Sequence, residues 1–271
     1  MKYYSAALRR SPLAIVFLLY AAPLLLVLLA ALKTNEEITN HPTAVIFRYT
    51  LDAFRAVLNA DLATAILNSL RIAGGATLIC MVLGTPLAYV LARLRFRWIG
   101  LMLAVLILLQ MTPAATSVIP LFAILGALGL LGTTFGVSVA IAAHVLPFAV
   151  LLMRPFFLSV PHEVDEAAQL DGAGEWRTFM SVCLPLARNG VSVVSVLVFI
   201  GAWGDLLYSV SFLNKSDLFP LTVLLTQQQT VYGTAYNNLM ALAVIGSIPT
   251  IVLFVLIARR LSNGLALGVG K

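Results

Sequence analysis

Six long apolar runs dominate the chain and constrain its fold more than any other feature. They cover about residues 12–32, 67–92, 98–122, 135–153, 191–213 and 239–258. Each has about the length that a helix needs to cross a hydrocarbon core of about 30 Å. A helix also satisfies its own backbone hydrogen bonds where no water is present. The sequence therefore predicts an all-α integral membrane protein with six transmembrane helices in a single domain, residues 1–271.

The composition indicates the same surroundings. Of the 271 residues, 61% are hydrophobic and only 10% are charged, whereas about a quarter of the residues of soluble domains are charged. Such an apolar chain has too little polar surface for water, so we expect it to lie in a lipid bilayer. The net charge of +6 is explained by where the basic residues lie, and we expect no nucleic acid partner.

The basic residues predict the orientation, because cytoplasmic segments carry an excess of Lys and Arg near the ends of spans. With the N-terminus inside, 12 of the 17 basic residues lie on inner segments: Lys2, Arg9, Arg10, Arg93, Arg95, Arg97, Arg154, Arg177, Arg188, Arg259, Arg260 and Lys271. The outer segments hold Lys33, Arg48, Arg55, Arg71 and Lys215. Both termini are therefore predicted to be cytoplasmic. The first run is longer than the apolar region of about 7–15 residues in a signal peptide, so a retained span is favoured over a cleaved one.

A short polar segment separates the fourth and fifth runs. Residues 160–177 hold five of the 11 acidic residues in the chain. The sequence Glu166-Ala167-Ala168 favours a helix, and Gly172 is placed to end that helix in a left-handed conformation. We expect a surface helix, a turn and a second short helix, on the cytoplasmic side, and such a segment can bind a partner.

Sequence features of an enzyme are missing. The three histidines, His41, His144 and His162, lie on three different segments, and Cys80 and Cys183 lie in or beside apolar runs. This spacing offers neither a metal site nor a disulfide framework. The glycine-rich tail at 264–271 lacks the spacing of a phosphate-binding loop. We expect no catalytic residues, no metal and no cofactor bound by this chain.

The polar segment resembles the Glu-Ala-Ala loop of ABC-importer permeases. In that loop, Glu-Ala-Ala is followed after three residues by Gly, and after nine more residues by Ile-x-Leu-Pro. This sequence matches the whole pattern except at one position, where Val182 stands in place of the Ile. Further matches resemble the carbohydrate-uptake branch, the maltose-type second permease: Pro161, Asn68-Ser69-Leu70, Asp171-Gly172-Ala173, Trp203-Gly204-Asp205-Leu206, Arg259-Arg260 and Gly264-Leu265. Gly204 departs from the Asn usual there, and Ala266 from the usual Thr.

The resemblance implies a type I ABC-importer permease fold in the bacterial cytoplasmic membrane. Such a chain forms half of a translocation path with a second, homologous permease. It is expected to work with two ATPase subunits, which bind ATP and Mg²⁺, and with an extracytoplasmic solute-binding protein. The cytoplasmic loop 160–185 would couple it to an ATPase through Glu166, Ala167, Ala168, Asp171 and Gly172. The resemblance does not specify the solute, which could be a sugar, an amino sugar, a polyol or glycerol phosphate.

Polar residues within the runs suggest where the solute passes. Asp205 is the only acidic residue within a run and lies beside Trp203 and Tyr208. These three residues are candidates for the wall of the path, as are His144 and Gln110. The alternative is that they form hydrogen bonds between packed helices. The outer loop residues Gln227, Gln228, Gln229 and Tyr232 resemble the family loop that contacts the binding protein, although they also suit a plain solvated loop.

Two other classes of protein remain as alternatives. A self-sufficient secondary transporter or channel usually has an internal repeat with broken helices in matching halves, and no such repeat is evident here. A membrane-embedded enzyme requires a cluster of catalytic residues, which the sequence does not contain. An importer subunit driven by ATP hydrolysis on a partner is therefore favoured.

Overall fold

The computed structural model describes residues 19–44, 46–93, 97–230 and 233–268, and these residues are mostly helical. The α-helices are α1 (Leu19–Ala31), α2 (Asn35–Asn40), α3 (Asp52–Val57), α4 (Ala60–Arg93), α5 (Ile99–Met111), α6 (Ala114–Ala127), α7 (Thr134–Leu158), α8 (His162–Leu170), α9 (Glu175–Thr178), α10 (Leu184–Trp203), α11 (Leu207–Phe212), α12 (Leu221–Thr226) and α13 (Tyr236–Gly268). A π-helical turn, Phe179–Cys183, joins α9 to α10, and a 3₁₀ turn covers Ser216–Leu218. Strands β1 (Gln229–Thr230) and β2 (Gly233–Thr234) form an antiparallel hairpin.

Four helical segments among the described residues are long and apolar enough to cross a membrane. They are Ala60–Arg93, Thr134–Leu158, Glu175–Trp203 and Tyr236–Leu256. A fifth crossing results if the bent pair α5 and α6 forms one span. The described part of the first apolar run is the shorter helix α1, and residues 12–18 of that run lie outside the described residues.

The third apolar run, 98–122, is not one straight helix. Helices α5 and α6 meet at an angle of 96°. The backbone between them is extended at Thr112 (ψ 123°) and Pro113 (ψ 137°). The residue before a proline is disfavoured in the helical conformation, so Pro113 accounts for the bend. Pro120, in contrast, lies inside α6 without ending it.

The fifth run, 191–213, is also interrupted. Helix α10 ends at Trp203, and the short helix α11 begins only at Leu207. Asp205 therefore lies between two helices and not within a continuous span. The sequence predicts Asp205 within the fifth transmembrane helix, whereas the structure shows that it lies in a break of that helix.

The described residues divide into two compact units, with boundaries inside α4, α12 and α13. The first comprises the described residues of 19–63 and 224–248. Within it, Lys33 Nζ donates to the carbonyls of His41 (3.2 Å) and Pro42 (2.9 Å) and closes the loop around α2. Thr34 and Glu37 form a capping box at the start of α2. Hydrogen bonds from the backbone N–H groups of Thr34 and Arg48 lower the pKa of Glu37.

The second unit comprises the described residues of 64–223 and 249–268, and α7 forms its centre. Helix α7 packs against α5, α6, α10 and α11. Hydrogen bonds also join it to α4 along its length. Ser138 Oγ donates to the Ile72 carbonyl at 3.1 Å, and Arg154 Nε donates to the Leu91 carbonyl at 3.0 Å. Helix α4 and helix α7 therefore run in the same direction, side by side.

Small residues allow these helices to approach closely, as expected for membrane helices. A Cβ atom at Gly75 of α4 would lie 2.7 Å from Ser138 Oγ of α7. A Cβ at Gly190 of α10 would overlap the ring of Phe156 in α7. No side chain fits at either position without displacing its neighbour. The glycines at 75 and 190 therefore set how closely α4 and α10 pack against α7.

Candidate functional site

The polar segment forms the predicted helix, turn and second helix. Helix α8 begins directly after Pro161, whose φ of −58° suits the start of a helix. Val164, Asp165 and Ala168 make up its inward face, with Asp165 buried. On the outer face, Glu166, Ala167, Gln169 and Leu170 are exposed, and Leu170 exposes 89% of its surface.

Gly172 ends α8 in the way that the sequence predicts. Its φ is +81°, a conformation that side chains other than Gly rarely adopt. The Ala173 N–H donates to the Ala168 carbonyl at 2.9 Å, and the Gly172 N–H donates to the Gln169 carbonyl at 3.0 Å. These two bonds form a Schellman motif, which satisfies the last carbonyl groups of the helix. The turn that follows α8 is therefore sharply defined, and Asp171 and Gly172 are both exposed.

The second short helix does not stand alone, because it continues through the π-helical turn into α10. The N–H of Leu184 donates to the Phe179 carbonyl, five residues earlier. Pro185 follows directly; it has no N–H, and its ring clashes with the carbonyl four residues before it in a regular helix. The wider turn avoids that clash. As a result, α9, the π turn and α10 form one continuous helical segment, Glu175–Trp203.

A buried ion pair attaches α8 to the end of α4. Asp165 Oδ2 lies 2.8 Å from Arg93 Nε, and the two side chains expose only 11% and 9% of their surface. The Cys183 thiol donates to Asp165 Oδ1 at 2.7 Å. This arrangement was not predicted from the sequence. The available signal was that Asp165 shares the inward face of α8 with Val164 and Ala168.

An aromatic cluster supports the same region. Tyr89 of α4 contacts Phe157 of α7 with ring centroids 5.7 Å apart, and contacts Phe179 of the π turn at 4.9 Å. Trp176 of α9 packs against Phe179 at 5.3 Å. Within the second unit, these rings hold the polar segment against the ends of α4 and α7.

A cleft of about 400 Å³ lies between α8, α9 and the end of α4. It is lined by Tyr89, Val90, Arg93, His162, Asp165, Glu166, Gln169 and Glu175. Asp165 is paired with Arg93, whereas Glu166 and Glu175 are exposed. The open part of the cleft therefore presents two carboxylates and suits a basic group of a partner.

A second polar cluster lies around the break between α10 and α11. The N–H of Tyr208 donates to Asp205 Oδ1 at 3.3 Å, and the N–H and hydroxyl of Ser209 donate to Oδ2 at 3.0 and 2.9 Å. Asp205 thus satisfies the free N–H groups at the start of α11. The Thr222 hydroxyl donates to the Asp205 carbonyl at 2.6 Å. Both carboxylate oxygens of Asp205 are occupied by these local bonds.

Two of the predicted path residues, Tyr208 and His144, lie close together. Their ring centroids are 6.1 Å apart. The Tyr208 hydroxyl shares a hydrogen bond of 2.7 Å with Ser117 Oγ of α6, a residue that the sequence did not single out. Ser117 and His144 line a cavity of about 260 Å³ together with Leu109, Thr112, Pro120, Leu121, Ala143 and Pro147.

The other predicted path residues lie apart from that cavity. Trp203 is buried and stacks on Phe199 with centroids 5.9 Å apart. Gln110 is exposed on α5 and is not part of the cavity wall. In the outer loop, Gln227 and Gln229 are exposed and Gln228 is half-buried, and Gln229 begins strand β1. Tyr232 lies outside the described residues.

Comparison with known proteins identifies the family. Residues 84–266 match the model of the family described as "Binding-protein-dependent transport system inner membrane component". The chain belongs to this family. The match covers both polar clusters and most of the apolar helices. The protein is therefore a multi-pass component of the cytoplasmic membrane and a permease subunit, not an enzyme. This result also decides against a self-sufficient secondary transporter.

Curated relatives support the assignment over nearly the whole chain. The diacetylchitobiose uptake system permease protein of Streptomyces coelicolor is 32% identical over 266 residues, covering 97% of this chain and 88% of the relative. The trehalose transport system permease protein of Mycobacterium tuberculosis is 33% identical over 225 residues, covering 82% of each.

Solved structures show the same fold. A chain of a bacterial ABC transporter involved in the import of the acidic polysaccharide alginate matches with a TM-score of 0.76 at 20% identity, covering 95% of this chain and 96% of that chain. A second structure, of a bacterial alginate ABC transporter with a pentasaccharide-bound periplasmic protein, matches with a TM-score of 0.67 at 15% identity, covering 96% and 94%. The predicted fold of an ABC-importer permease is confirmed.

Proposed function

We propose that this protein is one of two permease subunits in an ATP-driven, binding-protein-dependent importer for a carbohydrate. The observation that carries the proposal is the identity of 32–33% with permeases for diacetylchitobiose and trehalose, over most of both chains. Both of these solutes are disaccharides or their derivatives. We expect a di- or oligosaccharide before a polyol or glycerol phosphate.

We further propose that the chain crosses the membrane six times, with both termini in the cytoplasm. The four long helices, the bent pair α5–α6 and the first apolar run supply the six crossings. The distribution of basic residues supports this orientation, with 12 of 17 on the segments assigned to the inside. The loop 160–185, which contains the polar segment, then lies in the cytoplasm, and the hairpin β1–β2 lies outside.

In this arrangement the exposed face of α8 docks into a cytoplasmic ATPase subunit. Glu166 lies on the open side of the cleft and offers its carboxylate to a basic group of the ATPase. Ala167 and Ala168 are small enough for close approach, and the cap formed by Asp171 and Gly172 fixes the end of the docking surface. The importer requires two ATPase subunits, which bind ATP and Mg²⁺; this chain holds neither.

Because α8 is tied into the second unit, a push on α8 moves that unit as a body. The chain leads from α7 directly into α8, and from the turn after α8 into the continuous segment Glu175–Trp203. Closed interfaces of packed helices move as rigid bodies and do not deform continuously. Closure of the ATPase dimer on ATP binding would thereby be converted into a rotation of the helices that line the path.

The wall of the path is assigned to the cavity between α5, α6 and α7. The hydroxyl group of Ser117 and the imidazole of His144 line this cavity and offer hydrogen bonds suited to sugar hydroxyls. Tyr208 is buried behind them and holds the Ser117 hydroxyl at 2.7 Å. Asp205 contributes indirectly, because it holds the start of α11, which carries Tyr208. Trp203 and Gln110 are assigned to the path beyond this cavity. Gln227, Gln228, Gln229 and Tyr232 are assigned to contact with the extracytoplasmic binding protein.

Uptake by the purified importer tests this function. The permease pair, the ATPase and the binding protein are reconstituted in proteoliposomes, and a panel of labelled disaccharides, amino sugars, polyols and glycerol phosphate is supplied. We expect accumulation of one carbohydrate that requires both ATP and the binding protein. Accumulation of the same solute without ATP, or of a non-carbohydrate only, would contradict the proposal.

A further inference from the structure

The carboxylate of Asp165 joins three separate parts of the second unit. Its Oδ2 pairs with Nε of Arg93, in the last turn of α4, at 2.8 Å. Its Oδ1 accepts the thiol hydrogen of Cys183, the last residue of the π turn, at 2.7 Å. Asp165 itself belongs to α8. One buried group therefore connects the docking helix, the segment that continues into α10 and the end of α4.

Helix α8 contacts α4 through side chains, whereas the chain itself joins α8 to α7 and α9. Helix α8 is joined covalently to α7 through residues 159–161 and to α9 through residues 171–174. Its polar contact with α4 is the ion pair between Asp165 and Arg93. The aromatic contacts of Tyr89 reach Phe157 and Phe179 but not α8. The ion pair is thus the direct polar link from α8 to α4 among the described residues.

The guanidinium of Arg93 has spare donors at this site. Although Nε lies close to Asp165, none of the three guanidinium nitrogens is satisfied by a well-aligned hydrogen bond within the described residues. Both Nη atoms are buried, and an unpaired buried donor is unfavourable. A guanidinium presents five N–H donors in a rigid fork. The carboxylate of Asp165 is thus the nearby anionic group for a buried guanidinium that forms no other ion pair among the described residues.

We propose that Arg93 is a positioning residue that transmits movement of α8 to α4. This inference rests on the proposed docking of α8 to an ATPase. A buried ion pair is weak evidence for stability, because desolvation offsets the attraction of its charges. The role proposed for the pair is to restrain movement between α8 and α4. Two opposite charges in a buried site resist separation, whereas apolar side chains in contact can slide past each other. The pair keeps α4 in step with α8 while α7 and α10 follow through the chain.

The test uses the complete reconstituted importer and measures three quantities together. These are recovery of the ATPase subunit in pull-downs, ATP hydrolysis stimulated by the binding protein, and labelled sugar taken up per ATP hydrolysed. The variants are Arg93→Met and Asp165→Asn. Arg97→Met is the matched control, since Arg97 is an exposed arginine nearby whose guanidinium lies over Trp98 at 4.7 Å.

We expect the two variants at the pair to retain ATPase recovery and lower sugar uptake per ATP about tenfold, within the range for residues that carry coupling between sites. Arg97→Met should match the wild type in all three quantities. Unchanged uptake per ATP in Arg93→Met would overturn the inference. If the wild-type importer fails to bring down an ATPase or to take up sugar, the proposed function fails first, so the two failures are distinguishable.

Two double variants separate transmission from simple stabilisation, in case the single variants fold poorly. Arg93→Met with Asp165→Leu removes both charges and leaves an apolar contact, which restores stability in comparable buried pairs. We expect it to assemble but to remain poor in uptake per ATP. Arg93→Asp with Asp165→Arg rebuilds an ion pair and should recover part of the coupling. Full uptake per ATP in the apolar double variant would overturn the inference.

Discussion

Single residues define the shape of the loop 160–185, which contains the helix α8 proposed to dock. Gly172 turns the chain with a φ of +81°, and Pro185 forces the wider π turn because it lacks an N–H group. Asp165 points inward while its neighbour Glu166 is exposed. These adjacent acidic residues therefore differ in their contacts. Asp165 holds α8 against the end of α4, whereas Glu166 is accessible to a partner.

Gly172 offers a test of the turn at the end of α8. Gly172→Ala meets no steric obstacle, but a left-handed conformation costs a residue with a Cβ about 1–2 kcal/mol. Gly172→Pro also removes the N–H that bonds to Gln169 and should be worse. We expect ATPase recovery in pull-downs to fall in the order wild type, Ala, Pro. Gly174→Ala is the control, because Gly174 has a φ of −72° and its Cβ would contact nothing.

Tyr208 offers a test of the path cavity. Tyr208→Phe keeps the ring beside His144 but removes the hydroxyl that bonds to Ser117. Loss of one hydrogen-bonding group should weaken uptake about two- to tenfold, without affecting ATPase recovery. Tyr20→Phe, on an exposed ring of α1, is the control. If Tyr208→Phe transports sugar as the wild type does, the hydroxyl has no role in the path.

At the level of elements, the sequence predicts the polar segment better than the apolar runs. Glu-Ala-Ala propensity and Gly172 act locally, so the helix, turn and second helix could be foreseen. That proline interrupts the third run could also be foreseen, but not the angle of 96° between α5 and α6. Nor could the position of the break, because Pro113 and Pro120 look alike in the sequence, and only Pro113 ends a helix. The break around Asp205 and the pair between Arg93 and Asp165 depend on tertiary contacts that periodicity does not reveal.

The packing of α10 on α7 gives a prediction about stability. A methyl group at Gly190 would overlap the Phe156 ring, and overpacking typically costs about 1–3 kcal/mol. We expect Gly190→Ala to lower the thermal unfolding midpoint of the purified permease in detergent. Gly201→Ala lies in the same helix, where an added Cβ meets nothing within 4 Å. It should raise or preserve the midpoint, and equal loss in both variants would contradict the packing account.

At the level of the whole molecule, the arrangement in the membrane decides which surfaces meet which partners. In the proposed arrangement, with six crossings and both ends inside, α8 lies in the cytoplasm, and α2 and the 3₁₀ turn lie outside. Cysteine introduced at Glu36 or Asp217 should therefore react with an impermeant thiol reagent added to intact cells, and cysteine at Gln169 should not. The native Cys80 and Cys183 are buried, so the wild type supplies a low background. Labelling at Gln169 from outside would overturn the orientation.

The central claim is that α8 docks into an ATPase through Glu166, and charge reversal tests it most directly. Disruption of a buried interfacial charge pair costs about 2–5 kcal/mol or more. For the reconstituted importer carrying Glu166→Lys, we predict loss of sugar uptake and weakened recovery of the ATPase, with the permease still inserted. Asp61→Lys, an exposed reversal on the segment assigned to the outside, should leave ATPase recovery unchanged. Wild-type uptake and full ATPase recovery with Glu166→Lys would contradict the account.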